Sequence, residues 1–277
     1  MDPRRIMELP ANALGQGTSV RVRVGGDVDD LARLMAEEMA DLIRSSAQTG
    51  RPATAIIPVG PVGQYPILAE ILAREPLDAS RVSFVTMDEF LDDAGAWIDE
   101  DHPLSFRGHL RRAFFDRLPA SCGFRPENWI VPDPNRPEAV GQAIADRGGV
   151  DVCWGGIGLN GHLAFNEPEP EVSVAEFADR TCRTLEIAPE SRAHMAINLS
   201  CVLDLIPRRA VTIGMREILA ARKIRLYANR PWQRGVVRWL LHGPVSAACP
   251  ASLIRRHPDA GLTLAEFVAQ PVEVGLR

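Results

Sequence analysis

The sequence predicts an α/β fold, a mostly parallel sheet with helices on both faces, formed by a single domain over residues 1–277. Two observations carry this. Short apolar runs of strand length alternate with helix-periodic stretches along the chain, the order expected when helices cross over between parallel strands. The 277 residues, 46% apolar and 24% charged, are ordinary globular material, long enough for one large α/β domain. No internal repeat, low-complexity tract or long charge run breaks the alternation.

Ser19 to Val24 (SVRVRV) alternates apolar and polar, as a half-buried strand does. Gly25-Gly26 turns the chain and Asp27 stands where an N-cap belongs. Val28, Leu31, Met35, Met39, Leu42 and Ile43 then recur at helical spacing to about residue 48. Ala53 to Val59 is a second strand, followed by a Gly/Pro loop and a helix near Gln64 to Arg74. Arg81 to Met87 (RVSFVTM) is a third strand that runs into Asp88-Glu89-Phe90. Residues 91–103 read as a polar excursion. Leu104 to Leu118 is a helix with an apolar stripe of Phe106, Leu110, Phe114 and Leu118. A short strand at Trp129 to Val131 and a helix near Pro137 to Asp146 lead to a buried strand at Val150 to Trp154 (VDVCW). Further strands are expected at Arg183 to Ile187, Val211 to Gly214, Ile224 to Ala228 and near Ser252 to Ile254. Further helices are expected at Met215 to Ala221, Trp232 to Leu241 and Leu264 to Ala269.

In such sheets ligands bind beyond the carboxyl ends of the strands, which directs attention to three loops. After the second strand, Pro58-Val59-Gly60-Pro61-Val62-Gly63-Gln64 opens a helix, a generic setting for an anion. It has neither a Walker ending nor a G-x-G-x-x-G fingerprint. After the third strand, Asp88 and Glu89 offer carboxylates over a ligand, with Asp88 the better candidate for a general base. Glu89 serves equally well as a turn cap. After the fifth, Gly155 to Pro168 (GGIGLNGHLAFNEP) displays Asn160, His162 and Glu167 on a glycine-punctuated loop that lets backbone approach a ligand. Together the three suit proton shuttling on a small polar substrate, with no metal or redox cofactor required.

Composition narrows the chemistry. A net charge of −5 supplies no basic field for nucleic acid or an anionic membrane, and no apolar run reaches membrane-spanning length. Arg4 and Arg5 are followed by no apolar h-region, so no signal peptide is expected. The five cysteines are scattered without a C-x-x-C pair, which argues against a zinc knuckle or a disulfide framework and for a cytoplasmic setting. Among 31 basic residues the only lysine is Lys223, at the start of an apparent strand. Schiff-base chemistry has no well-placed amine, and an anionic group must be held by arginine or backbone amides.

TMDEF (Thr86 to Phe90) together with GGIGLNGHLAFNEP resembles the glucosamine-6-phosphate deaminase (isomerase) family, with element order matching from about residue 18 to 256. The resemblance implies a Rossmann-like fold and cofactor-free isomerisation of an opened sugar with loss of ammonia. It implies Asp88 as the base moving a proton between sugar carbons 2 and 1. His162 would open the pyranose ring with Glu167 as its partner. Arg192 would bind phosphate. Substrate-binding roles are expected for Gly60, Pro61, Val62, Gly63, Gln64, Glu89, Gly156, Gly158 and Arg234, with a lid near 169–195. A homo-oligomer is compatible with this reading.

The departures are concentrated. Where the family has an acid before Gly-His, this chain has Asn160, whose amide can orient His162 but cannot stabilise imidazolium by charge. The family's phosphate loop resembles P-T/S-G-G/S-T-P; here Val59 and Val62 lack hydroxyls and Pro61 lacks an N–H. Gln233 or Arg234 falls nearest the family's later lysine. Each lost charge-assisted hydrogen bond is worth roughly 1.5–3 kcal/mol, so a substrate other than ordinary glucosamine 6-phosphate is expected. That substrate would be an amino sugar or sugar acid without a 6-phosphate, or one whose anion is held by Arg192 and Arg234. Two rivals remain at this stage. A 6-phosphogluconolactonase-like hydrolase shares the G-x-G-x-D-G-H loop but continues differently after Gly-His. A non-catalytic sugar sensor would fit Asn160 but not the survival of Asp88, His162 and Glu167.

Overall fold

In a computed structural model of the chain, which describes residues 2–275, the strands form two sheets. The larger contains β1 (Arg21–Val24), β2 (Ala53–Ile57), β3 (Val82–Thr86), β5 (Trp129–Ile130), β6 (Val152–Gly155), β9 (Lys223–Ala228) and β10 (Ala260–Leu264). Its order is β1-β10-β9-β6-β2-β3-β5, and every pairing is parallel. A smaller sheet of β4 (Asp88–Leu91), β8 (Arg209–Thr212) and β7 (Arg183–Glu186) is antiparallel.

Helices surround the larger sheet: α1 (Pro3–Met7), α2 (Val28–Thr49), α3 (Gln64–Arg74), α4 (Phe106–Ala113), α5 (Ala139–Asp146), α6 (Val174–Ala178), α7 (Pro189–Asn198), α8 (Met215–Leu219), α9 (Gln233–His242) and α10 (Glu266–Ala269). The longest, α2, shows how the sequence sets an element. The Asp27 carboxylate accepts from the Asp29 and Asp30 amides while Asp30 reaches back to the Asp27 amide, a reciprocal cap worth about 1 kcal/mol. Leu31, Met35, Met39 and Ile43 are buried on one face. Gly50, with φ of 68°, ends the helix in the left-handed conformation that glycine adopts without a Cβ clash.

The central strands β2, β3 and β6 are buried along their whole length, which explains their continuous apolar runs. Met87 is the joint between the sheets. Its N–H donates to the Ile57 carbonyl of β2, and its own carbonyl accepts from Ile213, just past β8. The chain therefore leaves one sheet and enters the other within a single residue, immediately before Asp88.

Several expectations need correction. Asp88-Glu89-Phe90 is a strand of the second sheet and not a loop, and the strand expected near Arg183 joins that sheet instead of the parallel one. The strand expected near Ser252 to Ile254 is a run of 3-10 turns over Pro250–Arg256; a short buried apolar run satisfies either conformation. The strand is β10, further on, and the last helix begins at Glu266 instead of Leu264. The helix expected over 104–118 stops at Ala113, where Phe114 (φ −133°, ψ −69°) leads into a 3-10 turn. Apart from these corrections, the segment 169–195, where a lid is expected, carries α6, β7 and the start of α7.

Candidate active site

The carboxyl ends of β2, β6 and β9 and the β3–β4 joint meet at one cavity of about 420 Å³. The loop Pro58 to Val62 forms one wall, Gly156 to Gly158 another, and Asn229, Arg230, Trp232 and Gln233 a third. The first two walls touch. A Cβ on Gly156 would lie 3.1 Å from the Gly60 carbonyl oxygen, so the close approach depends on the missing side chain.

Asp88 opens β4 opposite Thr212 of β8 and lines the cavity while remaining 7% exposed. Burial, with the neighbouring Glu89 carboxylate adding to it, pushes its pKa up to about 8. Strand alternation sends Glu89 to the opposite side, where it is fully buried. There it accepts hydrogen bonds from the Ser105 hydroxyl (2.9 Å), the Phe106 and Arg107 amides (3.0 and 2.8 Å) and the Arg107 guanidinium (3.2 Å). Glu89 anchors the start of α4 and does not line the cavity.

His162 also lines the cavity, over Gly158: a Cβ there would fall within 2.0 Å of the imidazole. Its Nδ1 lies 2.9 Å from Asn160 Oδ1, 3.2 Å from Glu167 Oε2 and 3.3 Å from Ser191 Oγ. The Asn160 amide nitrogen donates to Glu167 (2.8 Å) and, more weakly, to Glu190 (3.4 Å). Because carboxylates only accept, that nitrogen must face them and Oδ1 must face the imidazole. Nδ1 therefore carries the proton and donates, leaving Nε2 with its lone pair. Burial pushes the Glu167 carboxyl up, but the hydrogen bonds from His162 and Asn160 outweigh it, leaving the pKa below its usual value. The loop is pinned to β8: the Phe165 amide donates to Thr212 Oγ1, and the Asn166 side chain donates to the Leu163 and Ile213 carbonyls.

Of the residues expected at the site, Gly60, Pro61, Val62, Asp88, Gly156, Gly158 and His162 line the cavity. Asn160 and Glu167 stand behind His162. Gly63 caps α3 with φ of 113°, and Gln64 is buried beneath with its amide unpartnered. The two arginines expected to hold an anion do other work. The Arg192 guanidinium donates to the Leu203, Ile206 and Pro207 carbonyls, and Arg234 Nε donates to the Phe267 carbonyl; neither lines the cavity. Among the described residues no turn or loop amide donates to the Ile206, Pro207 or Phe267 carbonyls, and the two guanidinium groups supply a donor instead. Among the described residues no cluster of three His, Cys, Asp or Glu could hold a metal.

Sequence reasoning missed Ser191, His194, Arg230, Trp232 and the aromatic wall of Phe90, Phe106 and Phe165, whose rings lie 4.7–6.2 Å apart. Arg230 and Trp232 follow the carboxyl end of β9, so the rule that singled out three loops covers a fourth. Ser191, His194 and Glu190 lie on α7, which the sequence reading left without an element.

A buried carboxylic acid and a histidine of fixed tautomer share one cavity at the strand ends, a pair suited to moving protons on a small substrate. No family model matches the chain. It is 30% identical over 263 residues to a glucosamine-6-phosphate deaminase of Pseudarthrobacter chlorophenolicus, covering 92% of this chain and 93% of that protein. It is also 30% identical over 262 residues to one of Streptomyces avermitilis, covering 91% and 90%. The chain belongs to the glucosamine-6-phosphate deaminase family. Its fold is similar to a monomeric glucosamine-6-phosphate deaminase of the NagB superfamily, with a TM-score of 0.77, 25% identity and coverage of 90% and 99%. The fold is also shared with 6-phosphogluconolactonase from Trypanosoma cruzi (TM-score 0.63, 16% identity, coverage of 90% and 96%).

Proposed function

We propose that this enzyme isomerises and deaminates a 2-amino-2-deoxyhexose, with Asp88 as the enolisation base, His162 and Glu167 in ring opening, and a substrate other than ordinary glucosamine 6-phosphate. The observation that carries the reading is the pairing on one cavity of a carboxyl poised near neutrality with an imidazole whose Nε2 is free. In ring opening, His162 Nε2 takes the anomeric hydroxyl proton and returns it to the ring oxygen, giving the open-chain aldehyde. Glu167 and Asn160 hold Nδ1–H throughout, and the carboxylate balances the transient imidazolium. Asp88, ionised, removes the C2 proton of the 2-ammonio aldehyde, an ammonium proton passes to O1 to give the neutral enolamine, and Asp88 delivers its proton to C1. The resulting C2 iminium takes up water and releases ammonia, leaving a ketose.

The curated relatives are named for glucosamine 6-phosphate, but in this chain the loop at Val59 to Val62 brings apolar side chains and an imide nitrogen to the cavity. Ammonia release from a panel of phosphorylated and free amino sugars, with C2 exchange followed in heavy water, tests the reading. Asp88→Asn should abolish both signals. Efficient turnover of glucosamine 6-phosphate would overturn the altered-substrate part, and turnover that survives Asp88→Asn would overturn the mechanism.

A further inference from the structure

A phosphomonoester carries nearly two negative charges and needs donors that converge on it. Three helices of at least ten residues present their N-terminal ends to this cavity, and none of them turns a cationic side chain into it. At α3 the approach loop contains Pro61 and the third helical residue is Pro66, so two positions lack an N–H, while Gly63 brings no side chain to the cap. At α9 the first two amides are already spent, Gln233 donating to the Arg230 carbonyl and Arg234 to that of Pro231. The Gln233 side chain is folded back onto the Arg230 amide and the Ile157 carbonyl. At α7 the first residue is Pro189 and the second is Glu190, an acid where an anion would sit.

Basic side chains do not compensate. Among the described residues Arg230 is the one arginine lining the cavity, and it is exposed at the mouth; no lysine lines it. His194 Nε2 accepts from the Asn198 amide nitrogen at 3.1 Å, and the ring meets that of Trp232 edge-on at 4.3 Å. Burial holds both His194 and His109 below the usual histidine pKa, with His162 and Arg112 respectively adding to the effect, so neither is a cation at neutral pH. The cavity wall includes Val59, Pro61, Val62, Leu199 and Trp232 beside the neutral polar Ser191, Asn198 and Asn229, and the Trp232 indole N–H is buried and unpartnered. That mixture suits a methyl or hydroxymethyl group, with neutral partners for an uncharged oxygen.

Resting on the amino-sugar reading above, we propose that the substrate's C6 end is uncharged: a free or 6-deoxy 2-amino-2-deoxyhexose rather than a sugar phosphate or a uronic acid. The test uses reduced, unreactive analogues, so that binding is read apart from catalysis: 2-amino-2-deoxyglucitol, its 6-deoxy form and its 6-phosphate, titrated calorimetrically into the intact enzyme at pH 7.5. The expected result is that both neutral alditols bind at least tenfold tighter than the 6-phosphate. Their affinity should change less than twofold between 50 and 500 mM salt and in Arg230→Ala. A 6-phosphate that binds as tightly as the neutral forms, or more tightly and with dependence on Arg230, overturns the inference and leaves the amino-sugar reading intact. Failure of all three to bind, with no Asp88-dependent C2 exchange, overturns both.

Discussion

Replacing Asp88 by asparagine should make the protein more stable, by an amount that grows with pH. In the folded chain the carboxyl keeps its proton up to about pH 8, because burial and the adjacent Glu89 oppose its charge. In the unfolded chain it ionises near pH 4. Between those values the folded state binds the extra proton, so stability falls as pH rises, at about 1.4 kcal/mol per pH unit, and levels off above pH 8. Asparagine fills nearly the same volume and has no such penalty. The stability difference between Asp88→Asn and the parent should therefore widen by about 4 kcal/mol between pH 5 and pH 8. Urea unfolding at pH 5, 6, 7 and 8, followed by tryptophan fluorescence, measures it directly. A difference that stays constant across this range would mean that the carboxyl is not held protonated, and the argument for a base poised near neutrality would fall with it.

The same ionisation should appear in catalysis: kcat/KM for the free enzyme should rise through an acid limb near pH 8, since Asp88 must be ionised to accept a C2 proton. A limb near pH 4 would contradict this. Glu89→Ala should lower stability by about 3–5 kcal/mol in urea titrations, because it strips the buried acceptor from Ser105, Phe106 and Arg107. Arg192→Ala should speed backbone hydrogen exchange over residues 203–206, a turn it ties down through the Leu203 and Ile206 carbonyls, and should leave alditol affinity within threefold. Asn160→Asp should raise the Glu167 pKa, read by carboxyl carbon NMR, because a donor 2.8 Å away becomes a like charge.

The larger sheet was legible because its central strands are covered on both faces and so read as unbroken apolar runs, as in ATAII and VSFVT. The smaller sheet was not. Its first strand, β4, pairs with β8 more than a hundred residues further on, and DEFL looks like a strand's polar exit unless β8 is known to lie beside it. Asp88 and His162 were found because each ends or follows a strand at the ligand edge. Arg192 and Arg234 were misread because an arginine's charge is visible in sequence, whereas the carbonyls left open at Ile206 and Phe267 exist only after folding. The role of Asn160 was half visible: its identity showed that a charge was gone, but only the fold brings Glu190 within reach of its amide.

Pro61 and Pro66 set a limit on how this enzyme could be remade. Serine or threonine at Val59 and Val62 would return hydroxyls to the cavity wall, yet a proline nitrogen stays without hydrogen whatever its neighbours become. Converting the pocket to a dianion therefore requires changing the main chain itself, at Pro61 and at the third residue of a helix. Single side-chain replacements should climb slowly or not at all, and useful variants should emerge only when both prolines leave together with the valines. Specificity written into the backbone in this way resists drift more firmly than specificity carried by any one exchangeable side chain.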